Sequence, residues 1–229
     1  PTAHVSGEES WLNYDFRMMQ FPIGVFGVSL AAEGLAHVSK KLALLDQKAA
    51  ADEVHHALRM TLAINLPATV GLMIIGLPIV QLLFQHGRFE FADSQHTAQA
   101  LFWYALGLPG YSVVKVLVPI YYAVGRTRLP VAVSFLTVGV NAVLNYIFLY
   151  RFNLPFWSLA SATAASSMLN ALILIFFLTE VLPGAINKRL LHSFCVHLAF
   201  SVVLGFGLWW GLDLLQMLQF IFPSLVLFW

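Results

Sequence analysis

The chain has 229 residues, 59% of them hydrophobic and only 10% charged, with a net charge of +1. A soluble domain usually carries about 25% charged residues, and a nucleic-acid binder needs a basic stripe to neutralise phosphates; the composition excludes both classes, so no nucleic-acid partner is expected. The single cysteine, Cys195, leaves no second thiol for an intrachain disulfide and sits in an apolar run, where it reads as a small buried or lipid-facing residue.

Read in chain order, polar residues 1 to 13 precede apolar runs at Phe21 to Val38, Met60 to Phe84, Ala98 to Val124, Pro130 to Tyr150, Phe156 to Val181, Phe194 to Leu215 and Met217 to Trp229. About 20 apolar residues cross roughly 30 Å of hydrocarbon, so six runs are long enough to span, the first if extended back to Arg17, and the seventh is cut short. The expected fold class is therefore all-α: a polytopic membrane helix bundle of six full transmembrane helices and one truncated. The polar start without a signal sequence and the stop inside an apolar run suggest a piece of a longer protein.

The cations orient the bundle. Lys40, Lys41, Lys48, Arg59, Arg126, Arg128, Lys188 and Arg189 fall in alternate gaps, whereas the other gaps hold only Arg88 and Arg151. Short cytoplasmic loops carry the Lys/Arg excess, so the first helix runs from outside to inside.

Glycine and proline punctuate the runs. Pro22, Gly24 and Gly27 open the first, Pro67 and Pro78 fall in the second, and Pro109, Gly110 and Pro119 fall in the third. They are expected helix breaks, because backbone groups freed in a bilayer persist only against protein or a water-filled cavity; ordinary proline kinking is the alternative. Lys115 lies between two of these breaks near the middle of its run, where a lysine costs roughly 2.5 to 3.5 kcal/mol. It points to a polar translocation path, or else bonds carbonyls freed by the prolines. Arg17 stands at the outer end of the first helix and, by its position alone, serves as an interfacial anchor.

The text around Arg17 adds a resemblance. Arg17-Met18-Met19-Gln20-Phe21-Pro22-Ile23-Gly24-Val25-Phe26-Gly27-Val28-Ser29-Leu30 is similar to the RLMQLPLGxFGVAL signature of the MurJ/MviN lipid II flippases. Further blocks follow in that family's order, among them Leu83-Phe84-Gln85-His86-Gly87-Arg88-Phe89, Val114-Lys115-Val116-Leu117-Val118-Pro119 and Gly125-Arg126-Thr127-Arg128-Leu129-Pro130. The match is strong over about residues 11 to 182 and rests on hydropathy beyond.

The resemblance implies the C-terminal lobe of a MOP-superfamily transporter over residues 1–182, lacking its first helix, followed by an additional helix pair over 183–229 with the second helix truncated. The N-terminal lobe of the same protein would be the missing partner. It also implies a multi-pass protein of the bacterial inner membrane, in contact with membrane lipid, which moves undecaprenyl-pyrophosphate-linked disaccharide pentapeptide (lipid II) to the periplasmic leaflet by alternating access. Arg17 then occupies the position of a cavity arginine suited to diphosphate, with Lys115 and Gln20 as further substrate contacts. Gln20 stands where some members carry Glu, and Phe16 where an acid often precedes the arginine.

Three residues are candidates for ion coupling. Glu33 shares a helix face with His37 at i, i+4, and Asn141 and Asn145 have the same spacing. Monovalent cation coupling and plain structural roles, an interfacial pair with His37 or Lys40 and interhelical hydrogen bonds, both remain open for them; no other cofactor and no metal is expected. Asp52-Glu53-Val54-His55-His56 lacks HExxH spacing, and the residues from His86 to His96 lack ligand spacing. No nucleophile elbow or nucleotide loop occurs, so an enzyme is not expected. The alternative function is another MOP transporter, a polysaccharide flippase or a cation-coupled drug antiporter.

Overall fold

A computed structural model describes residues 28–85 and 90–221, with side chains described over 35–85 and 90–214. Among the described residues six α-helices follow one another: α1 (Val28–Ala43), α2 (Gln47–Phe84), α3 (Phe91–Ala123), α4 (Arg128–Tyr146, continued by a π-helical turn, Ile147–Arg151), α5 (Trp157–Val181) and α6 (Lys188–Ile221). No strand occurs among the described residues. Five helices, α2 to α6, are long and apolar enough to cross a membrane.

Local chemistry sets the helix starts. The chain turns between α1 and α2 through Leu45 at φ +59°, and the Asp46 carboxylate accepts from Ala49 N at 2.9 Å, capping α2. Asp93 accepts from Glu90 N at 2.9 Å at the start of α3. Asn187 accepts from the amides of Arg189 and Leu190 at 2.9 and 3.1 Å, capping α6.

Several expected boundaries move. α2 starts at Gln47, well before the apolar run at Met60, because Ala50, Ala51, Val54, Ala57 and Leu58 form a buried stripe while Lys48, Asp52, His56 and Arg59 stay exposed. α6 passes through Gln216 to Ile221, so the expected boundary before Met217 is not a helix end. Pro109, Gly110 and Pro119 are not helix breaks: α3 is continuous from Phe91 to Ala123. Proline removes one i to i−4 bond and bends a helix, but long apolar flanks in a bilayer keep the remaining bonds. Pro67 and Pro78 are likewise inside a continuous α2.

α3 is the hub. It packs most extensively against α5 and α2 and also meets α1, but barely touches α4; α6 packs on α2. The cytoplasmic half of the core joins Val38, Val54, Leu58, Leu117, Tyr121, Leu174 and Leu178, and the Tyr121 hydroxyl donates to Leu174 O at 2.6 Å. A smaller cluster around Ala100, Tyr104, Leu108 and Ala160 serves the periplasmic half, where Trp103 stacks on Trp157 with centroids 5.2 Å apart.

The α3–α5 contact explains the glycines. A Cβ on Gly107 would stand 2.8 Å from Ala164 Cα, and one on Gly110 would stand 2.9 Å from Met168 N. These positions let two backbones touch, the small-residue packing of membrane helices.

Candidate functional site

The other side of α3 is open. Tyr111, Lys115, Val118 and Tyr122 fall within an arc of about 60° at 3.6 residues per turn, and this arc borders α4 across a cleft. Deep in the cleft, Tyr111, Thr137, Asn141, Thr163, Ser166 and Asn170 border a pocket of about 330 Å³ between α3, α4 and α5. Tyr111 is the central residue of the apolar run Ala98 to Val124, which places the pocket at mid-membrane depth.

The pocket's hydrogen bonds have a common direction. Thr137 donates to Val133 O and Ser134 O, Thr163 to Leu159 O, Ser166 to Ala162 O, and Ser167 to Ala164 O and Gly107 O. The protons of these four hydroxyls go to backbone carbonyls, which leaves their oxygens available as acceptors. The amides complete the pattern: Asn145 donates to Asn141 Oδ1 at 3.1 Å, Asn141 to Thr163 Oγ1 at 3.3 Å, and Asn170 to Thr137 Oγ1 at 3.1 Å. The Oδ1 atoms of Asn145 and Asn170 are buried without a donor. The Tyr111 hydroxyl is also buried and makes no hydrogen bond of ordinary geometry, and Ser167, the hydroxyl it interacts with, has its own proton engaged. An uncharged, acceptor-rich pocket of this kind can take a hydrogen-bond donor such as water.

The sequence-derived candidates distribute unevenly over this geometry. Asn141 and Asn145 lie together on α4, Asn145 bonded to Asn141 within the helix and Asn141 to Thr163 of α5, so an interhelical bond is present through Asn141. Lys115 is exposed on the open arc of α3, about 6 Å along the helix from Tyr111 towards the cytoplasm, and makes no ion pair among the described residues. Glu33 lies on α1, but His37 stands 3.9 Å from the Glu53 carboxylate of α2. Arg17, Gln20, Pro22, Gly24 and Gly27 lie outside the described residues. No metal-holding cluster of His, Cys, Asp and Glu occurs among the described residues.

Sequence reasoning missed Thr137, Thr163, Asn170 and Tyr111. A signal existed: Thr137, Asn141 and Asn145 repeat at i, i+4 on α4, and Thr163, Ser166 or Ser167, and Asn170 repeat at three or four residues on α5. It also missed the buried α2–α3 bond from Ser112 to Asn65 Oδ1 at 2.8 Å.

Comparison with known proteins places this geometry in context. The family model described as "Lipid II flippase MurJ" matches residues 2–228. The chain is 33% identical over 169 residues to the probable lipid II flippase MurJ of Vibrio cholerae, covering 74% of this chain and 32% of that protein. It is 31% identical over 142 residues to the lipid II flippase MurJ of Burkholderia cenocepacia, covering 62% and 28%. A solved structure titled "Lipid II flippase MurJ, inward closed conformation" superposes with a TM-score of 0.69 at 24% identity, over 96% of this chain and 48% of that one. The chain thus spans about a third of the length of these curated relatives. With its spanning helices and a family match over nearly its whole length, this multi-pass bacterial inner-membrane chain belongs to the lipid II flippase MurJ family.

Proposed function

We propose that the chain forms the C-terminal half of a lipid II flippase, which carries undecaprenyl-diphosphate-linked disaccharide pentapeptide from the cytoplasmic to the periplasmic leaflet by alternating access. The family match over residues 2–228 carries this reading. The remaining lobe of the same protein completes the cavity.

The chemical task is to move a diphosphate and a polar headgroup past hydrocarbon while the polyprenyl tail stays in lipid. Arg17 serves it by holding phosphate oxygens in a fork that stays protonated, and Gln20, three residues on in the sequence, adds an uncharged contact. Lys115 contributes a second cation: an unpaired ammonium on the open arc of α3 meets less cost beside an anionic substrate than beside lipid. Asn141, Asn145 and Thr163 hold a monovalent cation whose gradient drives the cycle, with the donor-free Asn145 Oδ1 as its first ligand.

The test uses the complete protein in cells depleted of their own flippase. Arg17→Ala should abolish growth and Arg17→Lys should restore it only in part; full growth with Ala removes Arg17 from the mechanism. Asn145→Ala should raise the cation concentration needed for transport at least tenfold, and an unchanged dependence removes the cation site while leaving the lipid II reading standing.

A further inference from the structure

Three helices of the packed core are weakened at one level. The Ser112 hydroxyl on α3 donates to Asn65 Oδ1 on α2 at 2.8 Å, and a Cβ on Gly76 of α2 would stand 3.3 Å from Leu101 Cδ2 of α3. Eleven residues forward on α2 thus match eleven back on α3, so the two helices run antiparallel in step and Pro67 stands level with Pro109 and Gly110. On α5 the same level is Ser167 and Met168, whose backbone atoms lie 2.9 Å from a Cβ on Gly110. Tyr111 is the next residue, so the level is at mid-membrane depth.

Each helix carries its own weakness there. Proline has no N–H, so Pro67 leaves Ala63 O and Pro109 leaves Ala105 O without the usual helical donor, and a proline inside a helix favours a bend. On α5 the adjacent Ser166 and Ser167 hydroxyls donate to Ala162 O and Ala164 O, both at 2.8 Å; such bonds back to the preceding turn loosen and bend helices. On α2, Thr61 donates to Ala57 O and Thr69 to Asn65 O, each at 2.8 Å, on either side of Pro67. Between them Asn65 Nδ2 donates to Thr61 O at 2.8 Å, which orients its carbonyl for Ser112. Thr61, Asn65 and Ser112 are fully buried. A bond in so dry a place persists, because breaking it strands the carbonyl.

We propose that Pro67, Pro109 and the Ser166-Ser167 pair form one hinge layer at which α2, α3 and α5 bend together, with the Asn65–Ser112 bond coupling α2 to α3 and the Gly110 contact coupling α3 to α5. Independent bends would shear Ser112 away from Asn65 and part the glycine seam, so the three bends have to match. A helix half about 15 Å long swings at its end by about 5 Å when its bend changes by about 20°. The swing carries Lys115 and Tyr122, which lie on the cytoplasmic side of the layer. By the same register Pro78 and Pro119 fall level with Gln99 and Leu58 and are not part of it. The hinge layer is independent of what the complete protein transports.

Cryo-electron microscopy of the complete protein and of its Pro67→Ala variant tests it, read as the angle between the cytoplasmic and periplasmic halves of each helix. Alanine restores the missing donor on α2, so α2 should straighten by about 10 to 20° and α3, although unaltered, should straighten with it. Adding Ser112→Ala should confine the change to α2. Hydrogen exchange gives a second reading: the amides of residues 105–113 on α3 should exchange about threefold more slowly in Pro67→Ala than in the wild type. Three results overturn the proposal: α2 straightens while α3 keeps its angle and its exchange, neither helix straightens, or α3 still follows α2 once Ser112 is replaced.

Discussion

Helix α3 meets α5 and α4 in opposite ways. Towards α5 it presents Gly107 and Gly110, and the two backbones touch with no room for a methyl group. Towards α4 it presents Tyr111, Val118 and Tyr122 across an open furrow. One face is a fixed hinge plate and the other a surface left free to take water, an ion, lipid or another part of the protein. In a bilayer, where the hydrophobic effect does not drive helices together, close contact comes from small residues and polar bonds. The placement of glycine therefore decides which interfaces are rigid.

The largest expected effect tests that contrast directly. Gly110→Ala should lower the stability of the complete protein by about 1 to 3 kcal/mol through overpacking, whereas Gly139→Ala on α4, where nothing lies within 4 Å of a new Cβ, should be neutral or stabilising by up to about 1 kcal/mol. Thermal unfolding in detergent reads both, and equal effects would break the comparison. Next comes a pair of polar substitutions. Ser112→Ala strands the buried Asn65 Oδ1 on the packed side and should cost about 1 to 3 kcal/mol, while Asn170→Leu removes a carbonyl already lacking a donor together with the 3.1 Å bond to Thr137 Oγ1 and should cost less, about 0.5 to 1 kcal/mol.

Tyr121→Phe removes the 2.6 Å bond to Leu174 O in the α3–α5 core; a loss of about 1 kcal/mol is expected, and hydrogen exchange at the cytoplasmic end of α5 should rise locally. The smallest effect is expected for Glu53→Gln, because the 3.9 Å approach to His37 is partly solvated and such pairs contribute under about 0.5 kcal/mol. A larger loss would show that α1 is held to α2 by charge as well as by Val38, which is buried in the core.

Much of this architecture was legible in the residues. The apolar runs located all five candidate spans; one boundary moved where an amphipathic stretch extends a helix, over Gln47 to Arg59, and another where α6 runs on past Gln216. The site was only partly legible. Asn141 and Asn145 stood out because an amide pair at i, i+4 in an apolar run is unusual, but Thr137, Thr163 and Asn170 are ordinary in such runs and gain meaning only from their neighbours. Lys115 was conspicuous by its charge, and its exposure on an open arc could not be read from a run that is apolar all round.

The sequence by itself determined that this chain is a membrane helix bundle, where its five candidate spans lie and to which family its blocks are similar. Hydropathy, run length and the Lys/Arg bias are local quantities and need no knowledge of neighbours. Only the tertiary structure decided that Gly110 is a contact point and not a break, that one side of α3 is sealed and the other open, and that acceptor oxygens from α4 and α5 converge on one pocket. These depend on which residues far apart in the chain come within a few ångströms of each other, and packing between helices settles that.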